Sequence, residues 1–189
     1  MFINLKNNNF AGFKFNTLDK NLREYEIEYS GLKIGTHSWN FKVEDEFFDN
    51  FEYSEIHHAH LNVDVIMDKQ ERLMIFDFNI SGFVSLPCDR CLDNMNVDIN
   101  GSKRLIFKLG KYYSEETDEI IIIPEQNNII DLSGFIYEFI TIMIPIRNVH
   151  PNDLNGNSKC NSEILEKLKK HTSKPQLDPR WNKLKDLLN

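Results

Sequence analysis

Cysteine is scarce in this chain of 189 residues: there are three, an odd number that leaves one thiol unpaired in any disulfide scheme. That argues against the framework of a small secreted scaffold, and a chain of this length can bury a core without such staples. Long apolar runs are missing too, since no stretch approaches the roughly 20 residues a bilayer-spanning helix needs. The opening Met1-Phe2-Ile3-Asn4-Leu5-Lys6 has no basic segment followed by a long apolar one, so export is not expected and a cytoplasmic location is. Cations are outnumbered, with 22 Lys and Arg against 29 Asp and Glu, and the net charge of −7 disfavours a simple nucleic-acid coat protein. There is no glycine-rich phosphate loop, nucleophile elbow or H-E-x-x-H pair, and carboxylates are too plentiful for any two to stand out as an acid–base couple. These absences predict a protein that is not an enzyme, with no small-molecule substrate and no membrane partner.

What is present is an ordinary globular balance, 41% hydrophobic and 27% charged, with fourteen Phe and six Tyr that favour a sheet-built core. Tyr25, Ile27 and Tyr29 alternate with polar residues, and turns are expected at Gly31 and Gly35. Trp39, Phe41 and Val43 mark a half-buried strand, and residues 44–51 a short helix or turn that groups Phe47, Phe48 and Phe51. Leu61 to Met67 and Met74 to Ile80 alternate on either side of Asp68-Lys69-Gln70-Glu71, the clearest hairpin in the chain. Gly82 predicts a bulge or bend before Phe83 to Leu86 leads into Cys88. Met95, Val97 and Ile99 predict a strand, Asn100-Gly101 a tight turn, and Leu105 to Leu109 its return strand. A further apolar strand ends at Pro124.

The period then changes. Leu132, Phe135, Ile136, Phe139, Ile140 and Met143 lie on one face of a helix over about 131–144, with Asp131 as N-cap and Pro145 as its stop. A polar loop from His150 to Asn161, a short helix from Ser162 to Lys170, a linker and a last helix from Pro179 to Leu188 complete the chain. Strands first and helices later predict an α+β fold: a mainly antiparallel sheet in the first two thirds, packed against a central helix, with short C-terminal helices. Residues 1–160 are expected to form one mainly-β domain. Residues 161–189, with seven basic side chains against four acidic ones, are expected to form a basic helical appendage.

Cys88-x-x-Cys91 places two sulfur ligands at knuckle spacing. His150 and Cys160, in a polar loop able to fold back, would complete a tetrahedral set of three cysteines and one histidine, a closed structural zinc type. That set also uses the odd cysteine. Two alternatives stay open: that the first pair only helps close the sheet end while His150 and Cys160 face solvent, or that it is a redox couple. A thioredoxin-like couple needs a helix N-terminus within a βαβ unit, and none is expected around these residues. His57, His58 and His60 cluster before a strand without the partners a metal site needs. From Gly101 to Tyr113 there are four cations and no acid, and Lys103, Arg104, Lys108 and Lys111 are interleaved with Phe107, Tyr112 and Tyr113. Cations among aromatics suit single-stranded RNA; the same pattern also fits a strand with aromatics in the core and lysines in water.

Several stretches taken together resemble a known family. They are Cys88-Asp89-Arg90-Cys91-Leu92 after an apolar strand, Ile130-Asp131-Leu132 opening an apolar helix with Tyr137-Glu138, Ile144-Pro145-Ile146, and Asp178-Pro179-Arg180-Trp181 with Leu184. Their order and separations, over roughly Gly31 to Leu188, resemble the YceD-like family of large-ribosomal-RNA-subunit accumulation proteins, which is widespread in bacteria and plastids. The resemblance implies a non-enzymatic cytoplasmic factor needed for normal levels of large-subunit ribosomal RNA, acting through ribosome assembly. Many members carry more cysteines between the positions matching Pro145 and Asp178; this chain departs from that, offering only His150 and Cys160. In this reading Arg90, Lys103, Arg104, Lys108 and Lys111 supply phosphate contacts to precursor ribosomal RNA, with Arg180 and Lys183 on a second surface. The acidic remainder makes a basic ribosomal protein at least as fitting a partner.

Overall fold

A computed structural model describes residues 20–171. A short 3-10 turn (Lys20–Tyr25) leads into β1 (Glu26–Glu28), β2 (Gly35–Glu44), α1 (Asp45–Phe48), β3 (His58–Lys69), β4 (Leu73–Pro87) and β5 (Asn94–Gly110). After these come β6 (Ser114–Thr117), β7 (Ile120–Pro124), β8 (Ile129–Asp131), α2 (Ser133–Met143) and α3 (Ser162–His171). The class is α+β, with a mixed, mostly antiparallel sheet and three short helices. The expected C-terminal helix, the Asp178-Pro179-Arg180-Trp181 stretch and Lys183 lie outside the described residues.

Six strands pair in the order β2-β3-β4-β5-β7-β6, and β1 pairs separately with β8. The β3–β4 hairpin is the one the alternation predicts, in unbroken antiparallel register from His58↔Ser85 to Lys69↔Met74. By contacts the described chain divides into two compact units, residues 20–86 with 96–146, and residues 87–95 with 147–171. In the first, strand alternation buries Val63, Val65, Met67, Phe76, Phe78 and Phe107. Phe139 and Phe135 of α2 meet Phe78 and Phe107 edge-on, at centroid distances of 5.1 and 5.7 Å. Phe47, Phe48 and Phe51 are buried together as their grouping predicts, and Phe51 stacks on Tyr137.

Three local expectations change, and one strand pair is parallel. Asn100-Gly101 forms no turn, because β5 runs unbroken for 17 residues through both. A Cβ at Gly101 would stand 3.0 Å from the end of the Met143 side chain, which would have to shift slightly to admit it. Gly82 makes no bulge, standing opposite Leu61 in regular register, but its φ of +137° and a would-be Cβ 2.1 Å from the His60 carbonyl exclude a side chain. β7 joins β5 in parallel, from Ile106↔Ile120 to Gly110↔Pro124, whereas the β1–β8, β2–β3, β3–β4 and β6–β7 pairs are antiparallel. At the start of α2 the N-cap is Leu132; Asp131 ends β8, and its carboxylate accepts the Ser133 N–H at 2.8 Å.

Candidate metal centre

In the second unit, the chain leaves β4 at Pro87 and turns sharply. The Leu92 N–H donates to the Cys88 carbonyl and the Cys88 N–H to the Asp93 carbonyl, both at 2.9 Å. This closes a knuckle around Cys88-Asp89-Arg90-Cys91, and the turn forces Leu92 into the left-handed region at φ 65°. The Arg90 N–H points back at Cys88 Sγ, 3.5 Å away. No helix begins at this pair and a strand lies on each side, which differs from the setting a thioredoxin-like couple requires.

The second half of the cluster comes from the loop before α3. Asp89 and Asn148 exchange two bonds: the Asp89 N–H donates to the Asn148 carbonyl at 2.8 Å, and the Asn148 N–H to the Asp89 carboxylate at 2.6 Å. This brings His150 to the knuckle. Asp153 then organises the loop by accepting the N–H groups of Asn155 and Asn157, and Gly156 takes the left-handed turn at φ 83°. Ser158 links both halves, because its hydroxyl accepts from Arg90 Nη1 at 3.3 Å and from the Cys160 N–H at 3.2 Å. Asn161 caps α3 through the Glu163 N–H and also reaches Asp93.

The outcome is one cluster. Cys88 Sγ lies 3.8 Å from Cys160 Sγ, Cys91 Sγ lies 3.4 Å from His150 Nδ1, and all four ligand atoms fall within 4.8 Å of one another. Zinc–sulfur and zinc–nitrogen bonds of about 2.3 and 2.0 Å imply tetrahedral edges of about 3.8 and 3.5 Å, so both contacts are at coordination spacing. Cys160 is buried and His150 half-buried, which removes the arrangement in which the two face solvent.

Burial opposes ionisation of Cys88, but the N–H groups of Arg90, Cys91 and His150 and the His150 imidazole outweigh it and pull the thiol down to about 6. Cys91 is pushed up, by burial first and then by its bonds to Cys88 and Cys160. The three thiols are also the only described side chains of this unit that are buried; around them pack Met95, Val149, Ile164 and Leu165, each half-buried.

The candidate RNA-binding residues have separate fates. Arg90 is engaged with Ser158. On β5, Arg104 grips both carboxylate oxygens of Asp77 at 2.6 and 2.9 Å, and Lys108 reaches Glu116 at 2.7 Å. Lys103 is half-buried and Lys111 exposed. Phe107 is a core residue, Tyr112 is 80% exposed, and Tyr113 donates its hydroxyl to Glu115. Arg180 and Lys183 lie outside the described residues. His58 and His60 sit at the surface beside Asp45 and Glu44. Sequence reasoning missed the residues that assemble the cysteine–histidine cluster: Asp89, Asn148, Asp153 and Ser158. Their signal was the density of Asn, Asp and Ser in the knuckle and in the loop before α3, which marks loops built on side-chain-to-backbone bonds.

The family described as "Large ribosomal RNA subunit accumulation protein YceD" matches residues 76–188, more than half of the chain. No curated protein and no solved structure matches it.

Proposed function

We propose a non-enzymatic, cytoplasmic role in ribosome assembly for this chain, which belongs to the YceD family of large ribosomal RNA subunit accumulation proteins. It supports accumulation of large-subunit ribosomal RNA by binding the precursor RNA or a basic ribosomal protein. The family match over residues 76–188 carries this reading. No helix among the described residues is long and apolar enough to cross a membrane.

The same proposal gives zinc a structural place. Cys88, Cys91, Cys160 and His150 would hold the ion, and four protein ligands leave no position for a reacting water. The metal would supply cohesion: a unit whose described buried side chains are three cysteines has little apolar core to offset the entropy of ordering its loops. The low-lying Cys88 thiol suits ligation, because the thiolate is the binding form.

The test is depletion of the protein followed by quantification of large- and small-subunit ribosomal RNA, with sedimentation of a tagged copy. Large-subunit RNA should fall relative to small-subunit RNA, and the tagged chain should travel with precursor large subunits. Unchanged RNA together with absence from every ribosomal fraction refutes the role. Elemental analysis of the purified chain tests the metal: one equivalent of zinc is expected, and folded, metal-free protein rejects it.

A further inference from the structure

The six-stranded sheet has one side packed with apolar side chains, while on the other the side chains of β2 to β5 are exposed or half-buried. On that second side, Asn40, Asp64 and Asn79 stand opposite one another in one row across β2, β3 and β4. Asp64 is exposed. It is held by two neutral amides: the Asn40 side chain donates to one oxygen at 2.6 Å and the Asn62 side chain to the other at 3.2 Å. Amides orient a carboxylate without cancelling its charge, so a negative charge is fixed midway along β3, one strand in from the sheet edge. Ile66, 41% exposed, lies two residues along the same strand face.

The other charges on this side follow one pattern. Arg104 and Lys108 are already neutralised by Asp77 and Glu116. Asp68 receives only the amide of Gln70, and Asp98, exposed on the side of β5 that carries Arg104, has no ion-pair or hydrogen-bond partner among the described residues. Asp64, Asp68 and Asp98, which have no cation partner among the described residues, and Glu44, which has His60 beside it, therefore share this side with Lys42, whose ammonium has no carboxylate partner among the described residues. A phosphate backbone would meet repulsion here, because the strand cations that could have received it are engaged. A basic polypeptide meets complementary charge, with acceptors already oriented and an apolar side chain beside them to take the stem of an arginine or lysine.

We propose that this sheet face, centred on Asp64, docks a lysine- and arginine-rich segment of a protein partner. It rests on the assembly-factor reading and selects between the two partners that reading admits.

The test uses the full chain and two probes, a labelled arginine–glycine repeat peptide and a labelled single-stranded RNA oligonucleotide, followed by fluorescence anisotropy at physiological salt. The peptide should bind, and the double variant Asp64→Asn with Asp98→Asn should weaken it about tenfold. A control that removes the same charge elsewhere, Glu26→Gln with Glu28→Gln on β1, should change it less than about twofold. Equal weakening by the control overturns the proposal, as does tight RNA binding that strengthens in the Asp64 variant. Asp68→Asn, which leaves the amide-held row intact, serves if the double variant does not fold. In depleted cells, full rescue of ribosomal RNA by the double variant sinks the docking face and leaves the assembly role standing. Normal RNA upon depletion sinks the assembly role itself, whatever the peptide does.

Discussion

Cys88 and Cys160 are 72 residues apart in sequence, yet their sulfur atoms lie 3.8 Å from each other. Two free thiols at that spacing, buried with a third and beside an imidazole, do little for a core as hydrophobes alone. As ligands they would join both halves of the second unit at one point.

Chelation, or Cys160→Ser, should release the zinc equivalent and remove hydrogen-exchange protection from residues 147–171 and 88–93. Amides of β3 and β4 should keep theirs, since Val63, Val65, Phe76 and Phe78 form their core without the cluster. Protection that persists in the second unit after chelation counts against a metal staple.

Leu92 holds a left-handed conformation, and the residue is 76% exposed. Glycine accepts that conformation freely, so Leu92→Gly should stabilise the knuckle by about 1 kcal/mol. Slower zinc loss to a competing chelator is the measurement. Faster loss would mean that the leucine side chain supports the turn.

Gly82→Ala forces a methyl group into the His60 carbonyl at a φ that L-residues avoid. It should destabilise the first unit by on the order of 3 kcal/mol, whereas Gly31→Ala, which meets nothing within 4 Å, should stay within about 1 kcal/mol of the parent. Urea midpoints of the two variants compare them directly, and equal midpoints would contradict the close approach.

Asp45 ties the start of α1 to β3. The His58 imidazole holds its carboxyl below the usual carboxylate range, the Ala59 N–H adds to this, and burial opposes it weakly. A carboxyl depressed in the folded state contributes stability that is fully present above the ordinary carboxylate range and is lost as pH falls through its folded value. Asp45→Asn should therefore flatten the loss of thermal stability on acidification below about pH 4. The difference should be small, since half of this side chain faces solvent. Parallel acid curves for parent and variant would remove Asp45 from the account.

Period-two alternation at Leu61 to Met67 and Met74 to Ile80 made the β3–β4 hairpin legible from the residues alone, because each apolar residue had to share a face with the next. The helical spacing of Phe135, Ile136, Phe139 and Ile140 marked α2 for the same reason. Asn100-Gly101 misled because a turn dipeptide expresses only local preference, and a strand that runs continuously through both residues overrides it. The parallel β5–β7 pair and the β1–β8 ribbon left no local trace, since register between distant segments depends on the whole chain.

By itself, the sequence determined which residue types were available: four soft ligands in two distant stretches, apolar faces of definite period, and more carboxylates than cations. Only the tertiary structure decided which of these meet. It drew His150 and Cys160 onto the knuckle through Asp89, Asn148 and Ser158. It also paired Arg104 and Lys108 with carboxylates on other strands of the sheet, while leaving Asp64 with amides. Coordination and charge compensation act over a few ångströms, and separation along the chain does not set those distances.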